Sequence, residues 1–329
     1  MKTLRRRLVT IPGLFVAAVL LTVLIPVWLP LSLATDLALR RFRFPLARLL
    51  AFAVCWVWLE VAGVTWAFVL WSAGLGRHAG LHYSLQRWWA SNVLVALGFT
   101  CGIRIETADV EVFSPGPTVL LVRHASLADS LVSAYVITKL ARLHPHYVLK
   151  RELEFDPCLD VVGHRIPNYF LDRQARDSGP ELRALERLGA GLGRRDVGVI
   201  FPEGTRVNDR KRAAALVKIA ERDPARSAKL STLGYLLPPR SAGASAILRA
   251  APTADVVLAW HVGFEGLDTF AGVLAAIRRK CEPVRFVALR VSRALVPDVD
   301  AFADWLDDQW LRMDDEVGTA LRARNERKN

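Results

Sequence analysis

The chain has 329 residues, 52% of them hydrophobic and 23% charged, enough length and apolar content for a substantial core. That balance excludes a disordered or low-complexity protein, and the lack of a Gly-X-Y period excludes a collagen-like one. Lysine and arginine total 44 against 32 acidic residues, a net charge of +12 that favours an anionic partner: nucleic acid, membrane headgroups or a polyphosphorylated ligand.

In chain order, the first feature is an apolar run from Leu8 to Ala34 with no charged side chain. A second run, Leu49 to Leu75, carries only Glu60. Each exceeds the roughly 20 residues that span a hydrocarbon core at about 1.5 Å per residue. Seven of the ten tryptophans (Trp28, Trp56, Trp58, Trp66, Trp71, Trp88 and Trp89) precede residue 90, and indole favours the headgroup boundary. The basic start (Lys2, Arg5, Arg6, Arg7) and Ser32-Leu33-Ala34 share features with a cleaved secretory leader. The length of the first run and the presence of a second favour a retained anchor instead. Arg40, Arg41, Arg43 and Arg48 make the linker as basic as the N-terminus, so a full crossing conflicts with the positive-inside rule. A hairpin dipping into one leaflet removes the conflict, with Pro12, Pro26 and Pro30 helping to break the first helix. Glu60 suits a shallow or protein-facing position. Residues 1–89 are therefore expected to be a membrane-anchoring helical hairpin and residues 90–329 the domain that carries the chemistry.

Beyond residue 90 the pattern becomes that of an α/β domain. Ser114–Pro117 is a turn feeding a first core strand at Thr118–Val122. Further short β-branched runs occur at Tyr147–Leu149, Asn168–Leu171, Val197–Phe201, Asp255–Val262 and Val284–Val291. Helical periods at Asp129–Leu143, Pro180–Leu192 and Arg210–Ala220 lie between several of them. This alternation predicts a mostly parallel sheet flanked by helices, attached to an N-terminal two-helix membrane anchor, with chemistry at the carboxyl ends of the strands.

At the end of the first core strand the chain reads Arg123-His124-Ala125-Ser126-Leu127-Ala128-Asp129. A carboxylate there can accept from one imidazole nitrogen and leave the other as a general base. Ser126-x-x-Asp129 is equally a capping-box-like helix start that needs no catalysis. After the apolar strand Val197–Ile200 comes Phe201-Pro202-Glu203-Gly204-Thr205-Arg206, whose glycine, hydroxyl and guanidinium suit a phosphate. Phe170-Leu171-Asp172-Arg173 and Leu237-Pro238-Pro239-Arg240, with Gly243 beyond, follow in separate segments.

In order, these blocks resemble the glycerolipid acyltransferase family, which includes 1-acyl-sn-glycerol-3-phosphate acyltransferases. His124 to Asp129 matches its HxxxxD motif, Phe170–Arg173 is similar to its second block, Glu203–Arg206 matches Glu-Gly-Thr-Arg letter for letter, and Leu237–Arg240 is similar to its proline-bearing fourth block. The resemblance covers about residues 90–315, and Trp305-Leu306…Trp310…Asp314 is most similar to the lysophosphatidate and lysocardiolipin branch. It implies a glycerol-phosphate acyltransferase-like fold and acyl transfer from acyl-CoA or acyl-carrier protein to the hydroxyl of a membrane lysophospholipid, 1-acyl-sn-glycerol-3-phosphate first among them. His124 is then the base and Asp129 its orienting partner. Gly204, Thr205 and Arg206 hold the phosphate with help from Arg173; Glu203 orients those cations or an acceptor hydroxyl, and Arg240 serves the CoA phosphates or braces the site. No metal or other cofactor is expected, and no nucleic-acid motif is present. The family has Asn where this chain has Arg123, a cation that either lowers the pKa of His124 or points away to bind phosphate.

The rival readings are acylation of another lysolipid (lysocardiolipin, lysophosphatidylinositol or an aminolipid) and a non-catalytic lipid-binding protein. Arginine in place of lysine, of which there are eight, points to a GC-rich bacterial genome and so to the cytoplasmic face of an inner membrane. Gly189-Ala190-Gly191-Leu192-Gly193 follows a helix and is not expected to be a dinucleotide loop. His144, His146 and His164 match no zinc spacing, with His144-Pro145-His146 expected at a turn. His78, His82 and His261 have no assignable partners in sequence, and Cys55, Cys101, Cys158 and Cys281 read as isolated thiols.

Overall fold

A computed structural model describes residues 2–107, 110–126, 128–172, 177–267, 270–279 and 282–327. The chain opens with four helices, α1 (Lys2–Val23), α2 (Ile25–Ala38), α3 (Pro45–Ser72) and α4 (Ala79–Cys101). There follow β1 (Ile105–Thr107), β2 (Thr118–Val122), α5 (Asp129–Tyr135), β3 (His144–Lys150), α6 (Pro157–Gly163), β4 (Tyr169–Leu171), α7 (Gly179–Ala190) and β5 (Asp196–Ile200). The remainder is α8 (Asp209–Ala220), α9 (Pro224–Leu230), α10 (Ser241–Ala250), β6 (Asp255–Val262), α11 (Phe270–Ile277), β7 (Val284–Val291) and α12 (Val299–Glu326).

The strands form one sheet in the order β1-β7-β6-β2-β5-β3-β4. Every neighbouring pair is parallel except β6 and β7. β2 is central and wholly buried, with Leu121 opposite Ile200 on one side and Leu258 on the other. Alternate residues feed opposite faces, as a period of two requires: Val119 and Leu121 enter one core, Leu120 and Val122 the other. The first core is completed by Leu185 and Leu188 of α7, Ile247 of α10, and Leu306, Trp310, Met313 and Val317, which form one face of α12. The second draws on Ala90 of α4, Val132 of α5 and Phe286 of β7. Gly189 is where α7 and α10 touch, since a Cβ there would stand 2.3 Å from the Ile247 carbonyl oxygen.

Several local expectations are revised. The helix expected over Asp129–Leu143 ends as α-helix at Tyr135, continues as a π turn through Leu140, and stops at Arg142, whose φ is +56°. His144-Pro145-His146 opens β3 instead of forming a turn, because parallel pairing with Asp196–Gly198 extends the strand to that point. β1 has only three residues, too short for a periodicity to register.

The division expected after residue 89 falls inside α4, and the N-terminal region has more helices than a hairpin. Composition marks where lipid-suited side chains become sparse, whereas α4 turns Ala90 into the core beneath the sheet. The first apolar run is broken at Leu24, just before Pro26 at the start of α2, while Pro12 and Pro30 lie inside helices. α1 and α3 are long and apolar enough to cross a membrane. α3 nevertheless lies along the domain for its whole length. Near its start Arg48 Nε donates to the Thr100 carbonyl at 2.6 Å; midway, buried Glu60 accepts from Trp89 Nε1 at 2.9 Å; past its end Arg165 donates to the Gly76 carbonyl at 2.9 Å. Gly63 permits the close approach to α6, since a Cβ there would lie 2.5 Å from Cys158 Sγ. α1 is tied at its basic end, where Arg6 and Arg7 bond the buried Asp160 of α6 at 2.7 and 2.8 Å.

Candidate active site

β6, β2 and β5 lie side by side and parallel, so their carboxyl ends deliver His261, His124 and the loop Phe201–Arg206 to one edge of the sheet. His124 follows β2, and its side chain, 18% exposed, is open to solvent. Its Nδ1 meets Asp129 Oδ2 at 2.8 Å, and Phe201 packs against the ring at a centroid distance of 4.8 Å.

Asp129, in the first turn of α5, is buried among donors. Oδ2 accepts from the backbone N–H groups of Ala125 and Ser126 at 2.7 and 2.9 Å. Oδ1 accepts from the Ser126 hydroxyl in a short hydrogen bond and from His261 Nε2 at 2.7 Å. Burial pushes this carboxyl up, but the charge of His261 and hydrogen bonds from both imidazoles outweigh it and hold it well below the usual carboxylate range. An ionised carboxylate only accepts, so each ring nitrogen facing it carries the proton. His124 is thereby left with its lone pair on Nε2. The helix-start reading and the dyad reading of Asp129 both apply, since it bonds the first backbone amides and the imidazole together.

Glu203 is buried, with Oε1 accepting the backbone N–H of His124 at 2.8 Å and Oε2 that of Leu237 at 3.0 Å. Both of its oxygens thus brace backbone at the site. Burial pushes it up to about 8, against the pull of those two donors and the Arg123 guanidinium. Gly204 has φ +70°, a conformation glycine adopts without strain, and it turns the chain so that the Val207 N–H reaches the His124 carbonyl at 2.9 Å. Lys211, in the first turn of α8, donates to Thr205 Oγ1 at 3.2 Å and to the Arg206 carbonyl at 3.0 Å. Arg206 Nη1 is enclosed with no hydrogen-bond partner. The Arg240 backbone N–H bonds the Pro202 carbonyl at 2.9 Å, and its guanidinium lies over Gly204, 3.6 Å from where a Cβ would be.

His124, Asp129, Glu203, Gly204, Thr205, Arg206 and Arg240 thus share one strand-end cluster. Arg173 lies outside the described residues. Arg123 is buried and turned inward: Nη1 donates to the His261 carbonyl at 2.7 Å, Nη2 to the Tyr235 carbonyl at 3.4 Å, and Glu265 stands at 3.3 Å. Its guanidinium is spent on the backbone of a neighbouring strand and loop, not turned toward a phosphate beside His124. His261 and Lys211 are the residues sequence reasoning missed. Lys211 lies in the first turn of the helix that follows the Thr205-Arg206 pair, a usable signal; His261 had none.

The other histidines lie elsewhere. His144 and His146 each stand 3.5 Å from Asp196. Glu154, Asp160 and His164 converge within 4.8 Å, but Arg6 and Arg7 supply the cations there.

Residues 104–259 match the family model described as Acyltransferase, a stretch running from just before β1 into β6 and containing the cluster from His124 to Arg240. That segment is an acyltransferase domain. The match spans a little under half of the chain and supports an acyltransferase enzyme. The crystal structure of the 1-acyl-sn-glycerophosphate (LPA) acyltransferase PlsC from Thermotoga maritima is similar at 14% identity, with 79% of this chain and 96% of that chain covered and a TM-score of 0.43. No curated protein sequence matches the chain.

Proposed function

We propose that the protein transfers a fatty acyl group from an acyl-CoA or acyl-carrier-protein thioester to the free hydroxyl of a lysophospholipid, with 1-acyl-sn-glycerol-3-phosphate the first acceptor and phosphatidate the product. The single observation that carries this is the His124–Asp129 pair at 2.8 Å, its free Nε2 open beside the loop that holds Arg206. His124 Nε2 takes the hydroxyl proton as that oxygen attacks the thioester carbonyl carbon. The tetrahedral intermediate collapses by breaking the carbon–sulfur bond, and the imidazolium returns the proton to the departing thiolate. Asp129 stabilises the imidazolium in between. The unpaired Arg206 Nη1, with Lys211 and Arg240 close to the same loop, supports a phosphate-bearing acceptor. The reaction needs no metal or other cofactor.

The lipid acceptor gives the N-terminal helices a purpose. α3 is bonded to the domain at both ends and presents Trp58, Trp66, Phe68 and Trp71 outward, and α1 exposes Leu8, Val16, Val19 and Val23. This supports an anchor lying in one leaflet, with both basic segments on the cytoplasmic side of a membrane.

The test is the purified full-length protein in mixed micelles with labelled acyl-CoA and a panel of lysolipids, read by mass spectrometry. Diacyl product from lysophosphatidate, lost in a folded His124→Ala variant, is the expected result. Preference for lysocardiolipin or an aminolipid would reassign the acceptor, and full activity in His124→Ala would refute the role given to that residue.

A further inference from the structure

We propose that His261 is a positioning residue of this site, holding Asp129 so that the carboxylate presents Oδ2 to His124 and moderating the basicity that Asp129 lends to that imidazole. The role rests on the reading of His124 as the general base.

β6 and β2 run in register, Ala259 opposite Val122, and β6 continues after β2 has ended. His261 is therefore carried past the end of β2 to the level of His124. Its side chain is fully buried, so it touches no substrate. Asp129 thus lies between two imidazoles, one open to the cleft and one sealed: His124 on Oδ2 at 2.8 Å and His261 on Oδ1 at 2.7 Å.

The far side of the His261 ring shows which way its proton points. Nδ1 is enclosed and has no partner, and the ring packs edge-on against Phe264 at 5.3 Å. A proton on Nδ1 would be a buried donor without an acceptor, whereas one on Nε2 meets a carboxylate. The Nε2–H of the ring is therefore aimed at Asp129. Other charges nearby act on backbone atoms. Arg123, paired with Glu265, donates to the His261 carbonyl; Arg324 of α12 reaches the Val262 carbonyl at 3.5 Å; Glu203 accepts the His124 N–H. Among the described residues, Asp129 is the only ionisable group bonded to the His261 ring.

Two consequences follow from removing this donor. Oδ1 keeps only the Ser126 contacts, so the carboxylate gains freedom to turn away from His124. The charge formerly shared with His261 also concentrates toward His124, which raises the imidazole's affinity for a proton. The base is then protonated at a pH where it should be free.

The experiment compares full-length wild type with His261→Phe, which keeps a ring of similar size but no donor, His261→Gln, which keeps an N–H at the reach of Nε2, and His261→Asn, whose N–H falls short. Turnover of acyl-CoA with lysophosphatidate is measured across pH, and the His124 midpoint is followed by NMR of labelled histidine. In His261→Phe and His261→Asn, kcat should fall about 10–100-fold with both KM values held within about twofold. The His124 midpoint and the acid limb of the pH profile should rise by about 0.5–1 unit, and His261→Gln should recover most of the activity. Should His261→Phe fail to fold, the Gln and Asn pair alone carries the comparison. An unmoved His124 midpoint in folded variants, or equal activity in Gln and Asn, would overturn the role of His261. The titration needs no turnover, so a wild type inert on every lysolipid would overturn the acyl-transfer reading while leaving the test of His261 standing.

Discussion

Glu203 Oε1 accepts the backbone N–H of His124 at 2.8 Å, joining the carboxyl ends of β5 and β2 just where the imidazole leaves the sheet. Its other oxygen accepts Leu237 N–H, and Asp314 of α12 accepts the N–H groups of Gly234, Tyr235 and Leu236 at 2.8, 2.7 and 2.7 Å. The loop leading to Arg240 is thereby pinned from two sides by carboxylates that accept backbone hydrogen bonds.

The buried Glu203 makes stability pH-dependent in a definite direction. Its folded value of about 8 lies above the unfolded value of about 4.3. Below the unfolded value both states hold the proton and nothing is lost. As pH rises to about 8 the unfolded state ionises first, so the native state loses stability over that window. Thermal midpoints of wild type and Glu203→Gln, taken from pH 4.5 to 8.5, should show the variant gaining on wild type as pH rises and then levelling. A constant difference between the two would show that Glu203 titrates alike in both states.

Asp129→Asn should be costly twice over. Both carboxylate oxygens accept only, from two imidazoles, two backbone amides and a hydroxyl, so an amide NH2 must face a donor in either orientation. Turnover should fall by about 10³-fold or more through loss of the correct His124 tautomer, and unfolding free energy by about 2–4 kcal/mol. Steady-state kinetics on the folded fraction and denaturant unfolding separate the two effects. Unchanged kcat with lowered stability would reduce Asp129 to a helix start.

Asp160 tests how the N-terminal helix is held. Its carboxylate is sealed from solvent between Arg6 and Arg7, so Asp160→Asn leaves partly buried guanidinium groups without their counter-charge. The expected loss is about 3–5 kcal/mol of stability in the α1–α6 contact. Limited proteolysis should release the first 40 or so residues before the catalytic domain is cut, with kcat on intact protein near wild type. Simultaneous loss of both would mean that α1 is integral to the domain fold.

The core strands β2, β6 and β7 were readable residue by residue because a strand covered on both faces, or paired at depth, is a continuous or alternating apolar run. The His124–Asp129 pair and the Glu203–Arg206 block were readable for a related reason. Each lies within one short stretch at a strand end, so sequence spacing sets the geometry. β1 and the π turn at Val136–Leu140 escaped, being too short or too irregular to impose a period.

What local pattern already contained was the alternating architecture, the long apolar runs at the N-terminus and the paired imidazole and carboxylate. The assembled fold alone decided that α3 lies along the domain, that Arg123 turns inward, and that His261 completes Asp129 across 132 residues of chain. Periodicity records only whether a side chain is buried. Which strand becomes its neighbour depends on sheet order and register, set by contacts distant in sequence.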